Sequence, residues 1–382
     1  MRSLCPSGEE WVATYEIRGD HDRASRIADA ICVEQTVEFP EDLIERDDIR
    51  REIIGRLVDL TPLAEDRFAA HIAYAVEVVA GEVTQLLNVA FGNTSIQRGV
   101  RLVDLDVPTS LRNVSPGPRF GVPGIRGLVG IADRPLVASA LKPMGMSARE
   151  LAELAAAMVR GGVDLIKDDH GLTDQPFCRF QERVRAVADA VMNAAERRGR
   201  PCLYAANVTG DVATVLERAA IAREEGAGAV MIAPGLAGFA ALHALAMADE
   251  IALPILCHPA MLGAFTSSDD GGMSHAMTYA TLPRLFAADA VIFPNHGGRF
   301  PFTPLDCADI AAACRAPREG VSTCFPVPAG GMTLDRVGEL VRFYGPDSIL
   351  LIGGDLRRGG DVEGGCRRFL DAVDATKIGE NA

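Results

Sequence analysis

The chain has 382 residues, of which 48% are hydrophobic and 24% charged, so it can bury at least one substantial core. Acidic residues outnumber basic residues by 52 to 38, and the net charge of −14 argues against nucleic acid or an anionic membrane surface as the main partner. The nine cysteines include no Cys-x-x-Cys pair and no apolar run approaches about 18 residues, so we expect reduced thiols in the cytoplasm, no signal peptide and no membrane span.

The first third of the chain predicts a small α+β domain. Apolar periodicity predicts, in order, a strand at 11–17, a helix at 21–32, strands at 54–60 and 68–76, a helix at 82–91 and a strand at 100–107. This order is that of a ferredoxin-like domain, which we assign to residues 1–112. The stretch 113–134 is rich in glycine and proline and is expected to be a linker that leads into the next domain.

From residue 135 onward, short apolar runs alternate with amphipathic stretches. The predicted strands are 136–142, 163–169, 202–208, 229–233, 254–258, 290–294, 324–328 and 348–352. The predicted helices are 148–160, 179–198, 212–225, 240–249, 276–287, 308–314, 334–343 and 364–373. Eight βα units over about 245 residues predict a TIM (β/α)8 barrel at 135–375, and a doubly wound sheet is disfavoured because no Gly-x-Gly-x-x-Gly follows the first strand. Residues 376–382 are expected to be a tail.

The carboxyl ends of these strands carry the polar residues that a TIM barrel uses for catalysis. Only three of the 38 basic residues are lysine, and two of them, Lys142 and Lys167, lie at these ends. Because arginine fills nearly every other basic position, the two amines are candidates for chemistry that arginine does not perform. A solvated surface amine is the alternative for each.

Three residues at the end of the second predicted strand form a candidate metal site. Lys167 and Asp169 are two residues apart, so their side chains point to the same side of the strand, and His170 follows directly. A neutral lysine amine can take up carbon dioxide as a carbamate, which is an oxygen ligand. The like charge of Lys142 favours this reaction because it lowers the pKa of the amine.

Paired glycines follow the seventh and eighth predicted strands, where TIM barrels often bind phosphate. They are Gly330-Gly331, after Ala329, and Gly353-Gly354. A plain Gly-Gly turn is the alternative for each pair, but two pairs in the two expected loops favour a phosphorylated substrate.

Other strand ends offer further candidates. His258 and His296 are candidates for proton transfer or for hydrogen bonds to substrate, and Asn207 is a candidate for substrate binding. No Gly-x-Ser-x-Gly or His-Glu-x-x-His pattern supports a serine hydrolase or a zinc protease.

Several of these segments carry a family resemblance. The sequence GGVDLIKDDH at 161–170 resembles the metal-binding motif of the RuBisCO large-subunit superfamily, and ALKP at 140–143 resembles that family's first-strand lysine motif. The segment NVAFG at 88–92 is similar to its N-terminal Asn-Val-Phe-Gly segment, EQT at 34–36 to its N-terminal active-site loop, and the two glycine pairs to its phosphate loops. The resemblance covers nearly the whole chain.

The resemblance implies an enolising enzyme that holds Mg²⁺ through carbamylated Lys167, Asp169 and His170. It implies that Lys142 is the general acid and base, and that His258, His296 and Arg299 contact the substrate. It also implies that Glu34 and Asn88 reach the barrel mouth of a neighbouring subunit, so the unit of function is a homodimer or an oligomer of dimers.

Four departures from the family's carboxylases argue against carbon dioxide fixation. Met144 stands where those enzymes have a second lysine, His170 where they have an acidic metal ligand, and Pro259 where they have an arginine. Their sixth loop carries a lysine, but 295–306 contains none. The chain therefore resembles a RuBisCO-like protein. Imidazole is a poorer partner for Mg²⁺ than for Mn²⁺ or Zn²⁺, so the presence of His170 leaves the identity of the metal open.

Three functions stay open at this stage. The first, which we prefer, is decarboxylation or carbon–carbon cleavage of an oxo-isoapionate phosphate type substrate, because the loop after Asn295 is short and polar and Arg299 could hold the substrate carboxylate. The second is enolisation or isomerisation of a methylthio-pentose phosphate from methionine salvage. The third is an inert metabolite-binding sensor, which the departures at Met144 and His170 favour.

Overall fold

A computed structural model of the chain describes residue 4, residues 6–358 and residues 360–376. The chain divides into two compact units, the first bounded by Met1–Pro116, Leu262–Leu282 and Arg318–Gly320 and the second by Gly117–Met261, Pro283–Pro317 and Val321–Ala382. The boundaries 1–112, 113–134 and 135–375 stay predictions. The predicted tail, Lys377 included, lies outside the described residues apart from Thr376.

The strands are β1 (Glu10–Arg18), β2 (Arg56–Ala64), β3 (Arg67–Ala75), β4 (Val100–Asp106), β5 (Leu136–Leu141), β6 (Leu165–Asp168), β7 (Leu203–Asn207), β8 (Ala229–Ile232), β9 (Ile255–Cys257), β10 (Gly272–Met273), β11 (Ala290–Pro294), β12 (Phe325–Ala329) and β13 (Ile349–Ile352). The helices are α1 (His21–Glu34), α2 (Asp47–Glu52), α3 (Val83–Phe91), α4 (Gly121–Val129), α5 (Ala148–Arg160), α6 (Phe180–Arg198), α7 (Val212–Glu224), α8 (Pro234–Ala237), α9 (Phe239–Met247), α10 (Leu282–Leu285), α11 (Pro304–Arg315), α12 (Val337–Tyr344) and α13 (Val362–Ala375). None of these helices, within the described ranges, is long and apolar enough to cross a membrane.

The first unit is built on a sheet with the strand order β10-β4-β1-β3-β2. Strands β1 to β4 pair antiparallel, and the short β10 adds to β4 in parallel. Every second residue of β1 is buried, from Trp11 to Ile17, so one face of the strand packs in the core. The order of β1 to β4, with α1 and α3 between them, confirms the predicted ferredoxin-like arrangement.

The second unit contains a closed barrel of parallel strands in the order β11-β12-β13-β5-β6-β7-β8-β9. Each of the eight strands falls within or across a segment predicted as a strand, so the TIM barrel is confirmed. The sequence predicts one helix over 276–287, but Met277–Thr281 form a π-helical turn before the short α10. Pro283 lacks the N–H that a regular helix needs at that position.

Alternate residues of the barrel strands fill its interior. The buried core includes Leu136 and Ala138 of β5, Leu165 of β6 and Leu203 and Ala205 of β7. Because side chains alternate along a strand, the same alternation carries to the carboxyl ends, where it brings Lys142, Lys167, Asp169 and Asn207 to the inner side.

The segment 113–134 contains the helix α4, which its glycine and proline content did not predict. Val122, Ile125 and Val129 of α4 belong to the buried barrel core, at the i, i+3, i+7 spacing of one helix face. The N–H groups of Phe120 and Gly121 each donate to Asp289 Oδ1 at 2.7 Å, which fixes the start of α4 against the loop before β11. This part of the chain therefore closes the amino-terminal end of the barrel.

Candidate functional site

The carboxyl ends of β5, β6 and β9 bring five polar side chains together. Lys142 Nζ lies 3.1 Å from Asp169 Oδ1, and His170 Nδ1 lies 3.3 Å from the same oxygen. The rings of His170 and His258 are stacked, with centroids 4.3 Å apart and planes inclined by 12°. Lys167 Nζ donates to the main-chain oxygen of Asp168 at 2.8 Å. The structure thus gathers the predicted metal residues, Lys142 and His258 at one place.

The two lysines of this cluster differ in their environments. Lys167 is 3% exposed, and burial, reinforced by the charge of Lys142, lowers the pKa of its amine to about 8 against the opposing pull of Asp169. A useful fraction of this amine is therefore neutral near pH 7. The Lys142 side chain is about half exposed and its ammonium is paired with Asp169. Burial raises the pKa of Asp169, but the hydrogen bond and charge of Lys142 outweigh it, so the carboxyl has a pKa below its usual value.

His258 is a neutral imidazole in this environment. Burial, followed by the positive charges of Lys167, His170 and Lys142, lowers the pKa of His258 to about 2. Its Nδ1 accepts a hydrogen bond from the N–H of Ala260 at 3.2 Å, so Nε2 carries the hydrogen. The ring can therefore donate a hydrogen bond from Nε2 at any physiological pH.

A buried ionic network lies on the opposite face of β6. Asp168 points away from the barrel interior, and its carboxylate is 3.2 Å from Arg183 Nε of α6, both side chains being fully buried. Tyr204 donates its hydroxyl to Asp168 Oδ1 at 2.9 Å, and the N–H of Asn207 donates to Oδ2 at 3.1 Å. Sequence reasoning missed Arg183 and Tyr204. Asp168 lies between Lys167 and Asp169 and therefore faces outward, where the helices cover the strand. A carboxylate buried there needs a cation beside it, and this is the signal that could have predicted Arg183.

Asn207 supports the loop that carries His170. Its Nδ2 donates to the main-chain oxygens of His170 and Leu172 at 3.0 and 2.8 Å, and its Oδ1 accepts from Thr209 Oγ1 at 2.7 Å. The amide is thus engaged with the chain itself, and its predicted role in substrate binding stays a prediction.

The glycine pairs after β12 and β13 differ in whether the surrounding structure leaves room for a side chain. A Cβ at Gly331 would come within 2.9 Å of Gly298 Cα, so packing of the chain itself excludes a side chain there. At Gly353 and Gly354 a Cβ would meet no atom within 4 Å, and neither residue has a positive φ. Glycine at these two positions therefore leaves open space and bare backbone, which is what a bound phosphate group uses.

Two predicted substrate residues lie apart from the cluster. His296 is buried, with its ring 4.8 Å from that of Phe343 in α12, and Arg336 donates to its main-chain oxygen at 3.2 Å. Arg299 is exposed and its guanidinium lies 5.0 Å from the ring centre of Phe300. Among the described residues neither contacts Lys142, Lys167 or Asp169, and their roles stay predictions.

In the first unit, Glu34 and Asn88 belong to segments that are held together. Asn93 Nδ2 donates to Glu34 Oε1 at 2.9 Å, and Gln35 Nε2 donates to the main-chain oxygen of Asn88 at 2.9 Å. The end of α1 and the end of α3 therefore form one local structure. The predicted contact of Glu34 and Asn88 with a neighbouring subunit stays a prediction.

The cluster fits a divalent cation only if Lys167 takes part. Within the described part of the chain, no group of three or more His, Cys, Asp or Glu side chains is arranged to hold a metal. Asp169 Oδ1 and His170 Nδ1 are 3.3 Å apart, close to the spacing of two donors that each lie about 2.1 Å from one ion. Carbamylation of the buried Lys167 amine would add the third ligand. The residues present therefore fit the group that the family resemblance implies.

Comparisons with known proteins agree with the fold. The sequence profile of the ribulose bisphosphate carboxylase large chain, catalytic domain, matches residues 121–298. The crystal structure of a Rubisco-like protein from Rhodopseudomonas palustris has a TM-score of 0.86 at 40% identity and covers 99% of this chain and 100% of that chain. These matches define the chain as a member of the RuBisCO large-chain superfamily.

Two relatives of known activity place it further within that superfamily. The 5-methylthioribulose-1-phosphate isomerase of Rhodospirillum rubrum is 37% identical over 345 residues, which cover 90% of each chain. The 2,3-diketo-5-methylthiopentyl-1-phosphate enolase of Geobacillus kaustophilus is 33% identical over 387 aligned residues, which cover 96% of this chain and 92% of the enolase. The chain belongs to the RuBisCO-like proteins. Its relatives in that group include an isomerase and an enolase.

Proposed function

We propose that this protein is an enzyme that removes and returns a proton next to the keto group of a phosphorylated small molecule, without fixing carbon dioxide. The observation that carries this proposal is the pairing of Lys142 with Asp169 beside the buried amine of Lys167. An acid–base lysine and a carboxylate–amine pair at one barrel rim are what enolisation requires. Met144, in place of a second lysine, supports the absence of carboxylation.

In this proposal Asp169, His170 and a carbamylated Lys167 would hold Mg²⁺, or Mn²⁺ in view of the imidazole ligand. The ion supplies Lewis-acid polarisation of the keto oxygen when it is bound. The half-exposed Lys142 ammonium first gives a proton to solvent, and the neutral amine Nζ then accepts the proton from the carbon next to the keto group and returns it to the product. His258 donates a hydrogen bond from Nε2 to a substrate oxygen. Gly353 and Gly354 receive the phosphate.

Two substrate classes follow from the expectations above. A carboxylated substrate of the oxo-isoapionate phosphate type rests on Arg299, which is exposed and stacked on Phe300. A methylthio-pentose phosphate is supported by the position of Met144. A Cβ at Gly171 would come within 2.6 Å of Met144 Cε, so the methyl group of Met144 lies over the loop that carries His170. Together with the activities of the two relatives, the apolar group at the rim favours the methylthio substrate.

The test is an exchange assay in deuterated solvent with Mg²⁺ and bicarbonate. We expect the enzyme to exchange the proton next to the keto group of 5-methylthioribulose 1-phosphate, and Lys142→Ala to lower that rate by about 100-fold or more. Release of carbon dioxide from an oxo-sugar-acid phosphate, without turnover of the methylthio substrate, would favour the first class instead. Binding without exchange in the wild-type protein would make the chain a sensor and end the enzymatic proposal.

The proposal also covers the cellular compartment of the protein and its oligomeric state. We place the protein in the cytoplasm, which the eight free cysteines of the described residues support. A homodimer, in which Glu34 and Asn88 serve the neighbouring barrel, is supported by the family membership. Sedimentation of the purified protein tests it, and a monomer that retains full activity would contradict it.

A further inference from the structure

Arg357 stands at the junction between the glycine loop after β13 and the lysine loop after β5. It ends a 3-10 turn, Gly354–Arg357, and its Nη1 donates to the main-chain oxygen of Lys142. The two strands are paired, and Ser139 Oγ donates to the main-chain oxygen of Ile352 at 3.0 Å. Leu356 is buried within the same turn. The guanidinium of Arg357 is therefore held against the backbone of Lys142, in the turn that Gly354 begins.

The positive charge of Arg357 has no acidic partner among the residues that the structure describes. Arg358, its neighbour, is 84% exposed and lies 2.8 Å from Asp355 Oδ1, so that charge is paired. Lys142 is paired with Asp169. A guanidinium has five N–H donors, and the bond to the Lys142 oxygen uses only part of this capacity. An arginine in the same turn as a bare glycine pair, with donors to spare, is suited to an oxyanion with several acceptor oxygens.

We propose that Arg357 is a specificity-determining residue that binds the phosphate dianion of the substrate over Gly353 and Gly354. This inference rests on the proposed function, whose phosphate site it completes with a cation. Because the same side chain holds the Lys142 carbonyl, the phosphate and the acid–base lysine are fixed to one another. The site then selects a phosphorylated keto compound over its unphosphorylated form.

Titration calorimetry of the full-length protein with inorganic phosphate tests this inference. Arg357→Met is expected to weaken phosphate binding by about 10- to 100-fold, the range for loss of charge-assisted hydrogen bonds. Arg357→Lys, which keeps the charge but not the planar fork, should retain part of the affinity. Arg358→Met removes a neighbouring arginine and should change the affinity by less than about twofold.

The midpoint of thermal unfolding of each variant distinguishes a role of Arg357 in phosphate binding from a purely structural role. The inference predicts that Arg357→Met loses phosphate affinity while its midpoint stays close to that of Arg358→Met. A fall in midpoint with no rescue by Arg357→Lys would overturn it in favour of a structural bond to Lys142. Unchanged phosphate binding in Arg357→Met would overturn this inference alone, whereas wild-type protein that binds no phosphate would overturn the proposed function as well.

Discussion

Tyr204 donates its hydroxyl to Asp168 on the face of β6 that points away from Lys167. The same carboxylate is paired with Arg183, and all three side chains are buried. The inner face of β6 thus carries the candidate reactive groups, and its outer face carries a buried ionic network. The network fixes the strand end from which Lys167 and Asp169 project.

Removal of Arg183 tests the energetic weight of this network. We expect Arg183→Leu to lower the free energy of unfolding by about 3 to 5 kcal/mol, because it leaves the Asp168 carboxylate buried without a cation. Arg185 lies on the same helix and is paired with Glu225 at 2.7 Å, but its side chain is 62% exposed. Arg185→Leu should cost less than about 1 kcal/mol. Equal effects of the two substitutions in urea unfolding would contradict the assignment.

The imidazole of His170 leads us to expect a preference for Mn²⁺ over Mg²⁺. His170→Glu places a second carboxylate beside Asp169, so the affinity for Mg²⁺ relative to Mn²⁺ should rise by about tenfold or more. Electron paramagnetic resonance of bound Mn²⁺, with Mg²⁺ as competitor, measures this ratio without any assay of activity. His243→Gln, in α9, serves as the control for loss of a histidine elsewhere. An unchanged ratio in His170→Glu would show that residue 170 is not a ligand.

Asp289 gives the second unit a defined dependence on pH. Burial raises the pKa of Asp289 to about 6, against the effect of N–H donors from Gly121, Ile255 and Phe120. The folded protein therefore binds this proton more tightly than the unfolded chain, whose carboxyl has a pKa of about 3.9. The stability that this proton contributes is complete below about pH 4 and is lost as the pH rises through 6.

The measurement compares the wild-type protein with Asp289→Asn. The difference between their free energies of unfolding should fall by about 2 kcal/mol from pH 4.5 to pH 7, since only the wild type carries the titrating group. Other carboxyl groups act on both proteins and cancel. A difference that stays constant with pH would show that the backbone donors hold Asp289 ionised throughout.

The cysteines should resist alkylation in the folded state. Burial is the largest cause that raises the pKa of the Cys32, Cys202 and Cys366 thiols to about 12 each, so almost no thiolate forms at pH 8. Iodoacetamide with mass spectrometry should leave these three unmodified in the native protein and modify them in guanidinium chloride. Rapid native labelling of Cys366 would contradict the burial of α13 against the barrel.

Periodicity was sufficient to predict the barrel because its signal repeats eight times. The alternation of Leu165, Lys167 and Asp169 also predicts which side chains of β6 meet in the site. The helix α4 was missed because its glycines and Pro123 outweigh three apolar residues at helical spacing. Its stability comes from packing at the end of the barrel, which local propensity does not register.

The partners of single side chains were harder to predict. Arg183 and Tyr204 reach Asp168 from other elements, and a sequence shows neither distance nor burial. Arg357 follows a glycine pair whose interpretation as a phosphate loop needs no arginine, so nothing in the sequence singles it out from Arg358. His296 follows a strand, as the predicted site residues do, but its ring packs on Phe343. Position at a strand end thus predicts proximity to the site, but not the direction of a side chain.

The discontinuous first unit determines how the protein can be dissected. Strand β10 and the buried residues Leu262 and Met277 belong to that unit, although they follow much of the barrel in sequence. A polypeptide that begins at Gly117 would keep β10 without β4, its partner in the sheet. A single proteolytic cut cannot yield two self-contained fragments, so genetic separation of the units requires replacement of 262–282 by a short polar connection.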